Sequence, residues 1–115
     1  MRKLEGEQVL LRVFLGENDR HEGHPLYQAL VEMLREEKIA GATVLRGVAG
    51  FGAGSHLHTG SLLRLSQDLP MIVEVVDTEA NIERVTPRID AMVEEGLVTL
   101  EPVRVVRYAA SRSGS

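Results

Sequence analysis

The sequence predicts an α+β domain in which a four-stranded antiparallel sheet carries two helices on one face. Three observations lead to this prediction. Short stretches that alternate with period two or are continuously apolar are typical of strands, and two longer stretches carry apolar residues at helical spacing. These stretches follow one another in the order β-α-β-β-α-β. A long glycine-rich segment separates the second predicted strand from the third.

The first strand is predicted over residues 8–15, where apolar side chains alternate regularly between the two faces. Both faces are largely apolar, so both need cover. We expect the helices to cover one face and another subunit to cover the other, on which Leu10 and Phe14 lie, because a continuous apolar patch is rarely left in water.

The first helix is predicted after the polar connection 16–24, with Pro25 at its first position, where a missing N–H costs nothing. Leu26, Leu30 and Leu34 form its apolar stripe. The second strand follows over residues 42–48.

The second half of the chain repeats this succession. After the glycine-rich segment, residues 61–65 are expected to form a brief strand or arm, and the apolar run 71–76 that follows Pro70 is typical of a central strand. Asp77 or Thr78 can cap the second helix. Pro87 should kink or tighten that helix, and Gly96 is a good position for its end.

The last strand is predicted over residues 97–108. Pro102 interrupts it, which favours a sheet edge or a bulge. Residues 109–115 are small and polar and are expected to be disordered. The chain 1–115 is therefore predicted to be one ferredoxin-like domain with its core at about residues 8–108.

Composition excludes several classes of function. The net charge is -4 with a pI of about 5.5, and the chain has two Phe, two Tyr and no Trp, so nucleic-acid binding is not expected. With no cysteine, disulfides and thiol catalysis are excluded, and a cytoplasmic location is expected. No apolar run approaches the roughly 20 residues that span a bilayer, and the N-terminus lacks the features of a secretory signal.

The glycine-rich segment is the candidate functional region. Gly47, Gly50, Gly52 and Gly54 fall within eight residues, directly after a strand and after Arg46. Backbone N–H groups of such a loop can bind an anion, and an arginine at its entrance suits a phosphate. The alternatives are an irregular connection without a ligand, and an arginine that is solvated or lies in an intersubunit salt bridge.

The chain resembles the PII-like signalling proteins and, within them, the family called domain of unknown function 190. The resemblance covers nearly all of residues 9–108. It rests on several blocks in the same order: Leu15-Gly16-Glu17, Pro25-Leu26-Tyr27, Ala42-Thr43-Val44-Leu45-Arg46-Gly47, Gly50-Phe51-Gly52, Leu65-Ser66, Asp68-Leu69-Pro70 and Glu74-Val75-Val76-Asp77.

This resemblance implies a non-enzymatic regulatory homotrimer that binds a small ligand, such as ADP, AMP or ATP, between subunits. The loop at residues 50–69, corresponding to the T-loop, would relay binding to a protein partner such as a membrane transporter or channel. The implied nucleotide-binding residues are at the loop base and on the last strand: Arg46, Gly47, Gly50, Phe51, Gly52, Arg104 and Arg107.

Three details of this chain qualify the resemblance, the first two of them for the nucleotide site. Arg104 and Arg107 are three residues apart, so they face opposite sides of a regular strand. PII proteins have a lysine-containing loop before the last strand, whereas this chain has Glu94 and Glu95, so a nucleotide less charged than ATP fits better. Lys38 stands where relatives tend to have the glycine that ends the first helix, a departure that concerns helix capping rather than function.

A metal-binding trimer of the CutA-like, copper-tolerance type is the alternative reading. His56 and His58 would share one face of a strand and could bind copper or zinc, and His21 and His24 form a second pair beside Glu22. A purely structural adaptor is the third reading. No serine-histidine-acid or paired-carboxylate arrangement can be assigned, so no catalytic residue is predicted.

Overall fold

A computed structural model of the chain describes residues 4–51 and 68–109. The main elements follow the predicted order, and a small hairpin adds two short strands. In chain order they are β1 (Gly6–Gly16), β2 (Arg20–His21), β3 (His24–Pro25), α1 (Leu26–Glu36), β4 (Thr43–Arg46), β5 (Pro70–Asp77), α2 (Glu79–Met92) and β6 (Leu97–Val105). The strand or arm expected at residues 61–65 and the tail 110–115 lie outside the described residues.

The four long strands form one antiparallel sheet in the order β4-β5-β1-β6. The predicted edge position of the last strand is confirmed, because β6 pairs with β1 on one side only. Its register is continuous through Pro102, which lies opposite Val9, so no bulge is needed. An edge strand tolerates proline because the missing N–H can lie on its unpaired side.

Both helices pack on one face of the sheet and enclose the core between them. The period-two pattern of the central strands supplies alternate side chains to this face, and each helix supplies its apolar stripe. The side chains that are at most 2% exposed are Leu11, Val13, Leu26, Leu30, Leu34, Val73, Val75, Ile82, Val85 and Ile89, together with Asp77.

Helix α2 begins with a side-chain cap. Thr78 is the cap residue, and its Oγ1 accepts a hydrogen bond from the Asn81 N–H at 3.1 Å. Asp77, the other candidate, is fully buried instead and accepts from the Ala40 N–H at 2.8 Å. The helix continues through Pro87 and ends at Met92, before Gly96.

The helix-free face of the sheet is crossed by one apolar row. The register places Leu45, Ile72, Phe14 and Leu97 side by side on the four strands. Leu45 and Leu97, at the ends of this row, are 43% and 57% exposed. We call this set the apolar row; its burial by other subunits stays a prediction.

A polar row lies next to the apolar row. It contains Thr43, Glu74, Arg12 and Thr99. Arg12 contacts Glu74 at 2.7 Å and Glu101 at 2.8 Å, and hydrogen bonding to Glu74 raises the pKa of the guanidinium. Arg12 and the two glutamates are charged groups on this face, so the helix-free face is not uniformly apolar.

None of the described helices is long and apolar enough to cross a membrane.

Candidate ligand site at the loop base

The candidate site lies at one end of the sheet, where three strands bring distant parts of the chain together. Met71, at the start of β5, is paired with Leu15 near the end of β1 and with Arg46 at the end of β4. We call the surrounding residues 16–19, 46–51 and 68–70 the loop base, because the last two ranges flank residues 52–67 in sequence and the first is hydrogen-bonded to residue 69. The sequence predicted the part around Arg46; the sheet register adds the other two parts.

Backbone hydrogen bonds hold both limbs of the loop base to the sheet end. On the outgoing limb, the Gly47 N–H donates to the Pro70 carbonyl at 2.7 Å. On the returning limb, the Leu69 carbonyl accepts from the Glu17 N–H at 2.8 Å, and Asp68 Oδ1 accepts from the Asn18 N–H at 3.0 Å. The two limbs therefore leave and rejoin the domain at one place.

Two glycines at the loop base lie against close neighbours. A Cβ on Gly47 would lie 2.6 Å from Cγ of Pro70, and a Cβ on Gly16 would lie 2.7 Å from Oδ1 of Asp68. A side chain at Gly47 would require the Pro70 ring to shift, whereas one at Gly16 would require only the Asp68 carboxylate to move. This packing gives a physical reason for the Arg46-Gly47, Leu15-Gly16-Glu17 and Asp68-Leu69-Pro70 motifs, which meet here.

Arg46 presents a guanidinium at the surface of the loop base. Its Nη2 lies 2.9 Å from Oε2 and 3.0 Å from Oε1 of Glu17. The side chain of Arg46 is 53% exposed and that of Glu17 is 24% exposed. Arg46 is therefore in an ion pair within its own chain, while its guanidinium is accessible from solvent. Sequence reasoning missed Glu17 because nothing in local spacing relates it to Arg46.

The remaining predicted residues of the outgoing limb lie beside Pro70 or project from it. A Cβ on Gly50 would lie 3.2 Å from Cγ of Pro70. Phe51 is 69% exposed, and Val48 is 79% exposed. The outgoing limb therefore presents apolar side chains to solvent a few residues after Arg46. Gly52 lies outside the described residues.

Arg104 and Arg107 lie at the opposite end of the sheet. Arg104 is paired with Glu7, and Arg107 follows the end of β6 at Val105. Since Leu15 and Glu7 are eight residues apart on β1, the distance along the sheet is about 27 Å at the rise of a strand. One chain does not bring these arginines together with Arg46.

The described part of the chain also contains a cavity at that opposite end. It has a volume of about 450 Å³ and lies on the helix-free face. Sequence reasoning gave no signal for it, because its walls come from both ends of the described chain and from the segment before β4. Its lining includes Leu4, Leu10, Ala40, Gly41, Ala42, Thr43, Glu74, Val76, Val105 and Tyr108.

Of the two predicted histidine pairs, one lies within the described residues. His21 and His24 lie opposite each other in the β2-β3 hairpin. Within residues 4–51 and 68–109, no group of three or more His, Cys, Asp or Glu side chains could hold a metal ion. His56 and His58 lie outside the described residues.

The fold is that of PII-like proteins, as the resemblance implied. A PII-like signaling protein of Thermus thermophilus matches with a TM-score of 0.60 at 16% identity, over 88% of this chain and 91% of that one. CPII of Thiomonas intermedia K12, a nitrogen regulatory PII-like protein bound to ADP, AMP and bicarbonate, matches with a TM-score of 0.57 at 17% identity, over 88% and 90%. At these identities the likeness shows the fold.

The chain belongs to the DUF190 family, described as "Uncharacterized ACR", whose model matches residues 8–105. A UPF0166 protein of Aquifex aeolicus is 39% identical over 100 residues, which are 87% of this chain and 94% of the relative. The UPF0166 protein MJ1524 of Methanocaldococcus jannaschii is 35% identical over 99 residues, or 85% and 91%. The predicted membership is confirmed.

Proposed function

We propose that this chain is a non-enzymatic, cytoplasmic PII-like regulatory protein. It forms a homotrimer, binds an adenine nucleotide in the clefts between subunits, and reports the bound state to a protein partner through the loop at residues 50–69. A membrane transporter or channel is the kind of partner proposed.

The observation that carries this proposal is the position of Arg46. An accessible guanidinium ends β4 beside Gly47, where the backbone itself packs against Pro70. Arginine binds phosphate through charge-assisted hydrogen bonds, and its planar fork gives these bonds direction. A phosphate held here would lie against both limbs of the loop base, so binding would affect the loop directly.

The opposite position of Arg104 and Arg107 supports a site shared between subunits. Within one chain these arginines lie about 27 Å along the sheet from Arg46. They can therefore contact the same nucleotide as Arg46 only if they come from a neighbouring subunit. The apolar row supplies a reason for subunits to associate. The CPII structures with ADP and AMP show that proteins of this fold hold such ligands.

The charge at the start of β6 favours the less charged nucleotides. Glu94 and Glu95 are exposed and precede Leu97, which is paired with Phe14 near the loop-base end of the sheet. Carboxylates at this end repel a triphosphate more than a monophosphate. We therefore expect AMP and ADP to bind more tightly than ATP in the absence of divalent metal.

Calorimetric titration of the full chain with AMP, ADP and ATP tests the proposal. Loss of the bonds from Arg46 should weaken ADP binding about 10- to 100-fold in Arg46→Ala, the range for a hydrogen bond to a charged group. Arg88→Ala is the matched control, since Arg88 is an arginine of similar exposure, 51%, that pairs with Glu37 on the helical side. No nucleotide heat in the wild-type chain, or equal heat in Arg46→Ala, contradicts the proposal.

Titration with copper and zinc in the same experiment separates the metal reading. Metal heat that disappears in His56→Ala or His58→Ala, without any nucleotide heat, would replace the nucleotide proposal with metal binding.

A further inference from the structure

The ion pair at the loop base indicates how the proposed ligand would act on the chain. We propose that the carboxylate of Glu17 is a built-in competitor for Arg46, and that an anionic ligand displaces it from the guanidinium on binding. This inference rests on the proposed function and adds to it a residue that sets both affinity and the response of the loop base.

The geometry gives Glu17 and an incoming phosphate the same binding partner. Both carboxylate oxygens of Glu17 lie within 3.0 Å of one nitrogen, Nη2 of Arg46. A phosphate oxygen that approached Nη2 would meet these oxygens, and two anions do not share one donor without repulsion. The side chain of Arg46 is 53% exposed, so a ligand can reach it from solvent while Glu17 is still in place.

Glu17 also contacts both limbs of the loop base, which are joined directly by the hydrogen bond from Gly47 to Pro70. Its backbone N–H donates to the Leu69 carbonyl on the returning limb, and its carboxylate holds Arg46 on the outgoing limb. Displacement of the carboxylate breaks the ion pair with Arg46 and leaves the hydrogen bond to Leu69 in place. Ligand binding at Arg46 thus changes how the outgoing limb is attached to the turn after β1, which is the differential contact that a ligand-driven switch requires.

The pair is weak enough to be displaced. Ion pairs between exposed side chains have small stabilities, since water and salt screen them, and about a two- to fivefold change in an equilibrium constant is typical. Glu17 is therefore expected to lower the affinity for a phosphate-bearing ligand by about two- to fivefold without preventing binding.

Calorimetry with ADP on the full chain at constant ionic strength tests this role. Glu17→Gln removes the competing charge and keeps the backbone N–H, so the Kd for ADP should fall about two- to fivefold. Glu37→Gln is the matched control, because it neutralises a glutamate of similar exposure, 28%, that is paired with an exposed arginine, Arg88, on the helical side, and it should leave the Kd unchanged. Glu17→Ala should behave as Glu17→Gln, and thermal unfolding verifies that each variant is folded.

The double variant shows whether the effect passes through Arg46. In an Arg46→Ala background, Glu17→Gln should no longer improve ADP binding, because there is no guanidinium to release. An equal improvement with or without Arg46 overturns the inference.

The failures of the two proposals have different signatures. Binding of ADP that depends on Arg46 but is unchanged or weakened in Glu17→Gln leaves the proposed function intact and overturns the competitor role. No binding of ADP by the wild-type chain or by Glu17→Gln overturns both.

Discussion

At the scale of single residues, Lys38 stands in a backbone position that favours glycine. Its φ is 62°, in the left-handed region. Its N–H donates to the Arg35 carbonyl at 3.0 Å, and the N–H of Ile39 donates to the Leu34 carbonyl at 3.1 Å. This pair of bonds is the Schellman ending of a helix, whose left-handed residue is usually glycine. The resemblance had pointed to glycine at this position, and the backbone supplies the reason.

Lys38→Gly should stabilise the chain by about 0.5–1 kcal/mol, because glycine adopts this φ without the steric cost that a Cβ carries. The free energy of unfolding from urea titration measures the change. Lys38→Ala is the control and should bring no gain, since alanine retains the Cβ. Equal stability of the glycine variant and the parent chain would show that the strain at this residue is negligible.

At the scale of elements, a charge cluster links the end of α1 to α2. Glu37, which follows α1, accepts hydrogen bonds from Arg84 at 2.6 Å and from Arg88 at 2.8 Å. Arg84 also donates to the Glu37 carbonyl at 2.7 Å. The hydrogen bond from Arg88 is the main cause that holds the pKa of Glu37 below its ordinary value of 4.5. The two helices are thus joined at the surface as well as through the core.

The lowered pKa of Glu37 predicts a pH-dependent contribution to stability. The ionised carboxylate is favoured in the folded chain, so its contribution is complete above the unfolded pKa and is lost as the pH falls through the folded pKa. The wild-type chain should therefore unfold at a higher temperature than Glu37→Gln at pH 6. The two unfolding temperatures should converge as the pH is lowered towards 3.

Glu36→Gln provides the control for this titration, since it removes the same charge one residue earlier. If the difference in unfolding temperature between the wild type and Glu37→Gln stays constant from pH 6 to pH 3, the effect of the substitution does not come from titration of Glu37.

Asp77 makes a second connection between elements, within the interior. Besides the Ala40 N–H, it accepts hydrogen bonds from the Thr78 N–H at 2.7 Å and from Asn81 Nδ2 at 2.9 Å. These bonds compensate the cost of burying a carboxylate. One side chain thereby fixes the start of α2 and the segment that leads into β4, and so helps to position the strand that ends at Arg46.

At the scale of the whole molecule, the apolar row is the feature that one chain leaves unfinished. It spans all four strands on the face opposite the helices, at the end of the sheet that carries the loop base. Burial of such a row by neighbouring copies would place their surfaces next to Arg46. The proposed trimer and the proposed ligand site therefore depend on the same face.

Leu97→Lys and Leu45→Lys should dissociate the proposed trimer, because each places a charge in the row at a position that is already exposed in one chain. Light scattering after size exclusion should show about three times 12.7 kDa for the wild type and 12.7 kDa for the variants. Leu100→Lys is the control: it lies on the same strand, is 54% exposed, and faces the other side of the sheet. A wild-type mass of one chain, or a trimer that survives both substitutions, contradicts the assignment.

Much of the fold could be predicted from the sequence, since it depends on local patterns. Alternating apolar residues predicted β1, and the stripe from Leu26 to Leu34 predicted α1. Boundaries were less exact where propensity and packing compete. The second predicted strand, residues 42–48, is the shorter β4, because Gly47 turns to bond Pro70. The hairpin at Arg20–Pro25 was missed, because its strands are only two residues long.

The sequence by itself therefore determined the order of elements, the faces they bury and the position of Arg46 before a glycine-rich segment, because each follows from residues close together in the chain. Only the tertiary structure decided which groups surround Arg46. The pairing of β5 with β1 and β4 brings Glu17 and Pro70 to Arg46 and leaves Arg104 at the far end of the sheet. Register between strands that are distant in sequence is set when their apolar faces pack together in the core, so no single segment of the chain fixes it alone.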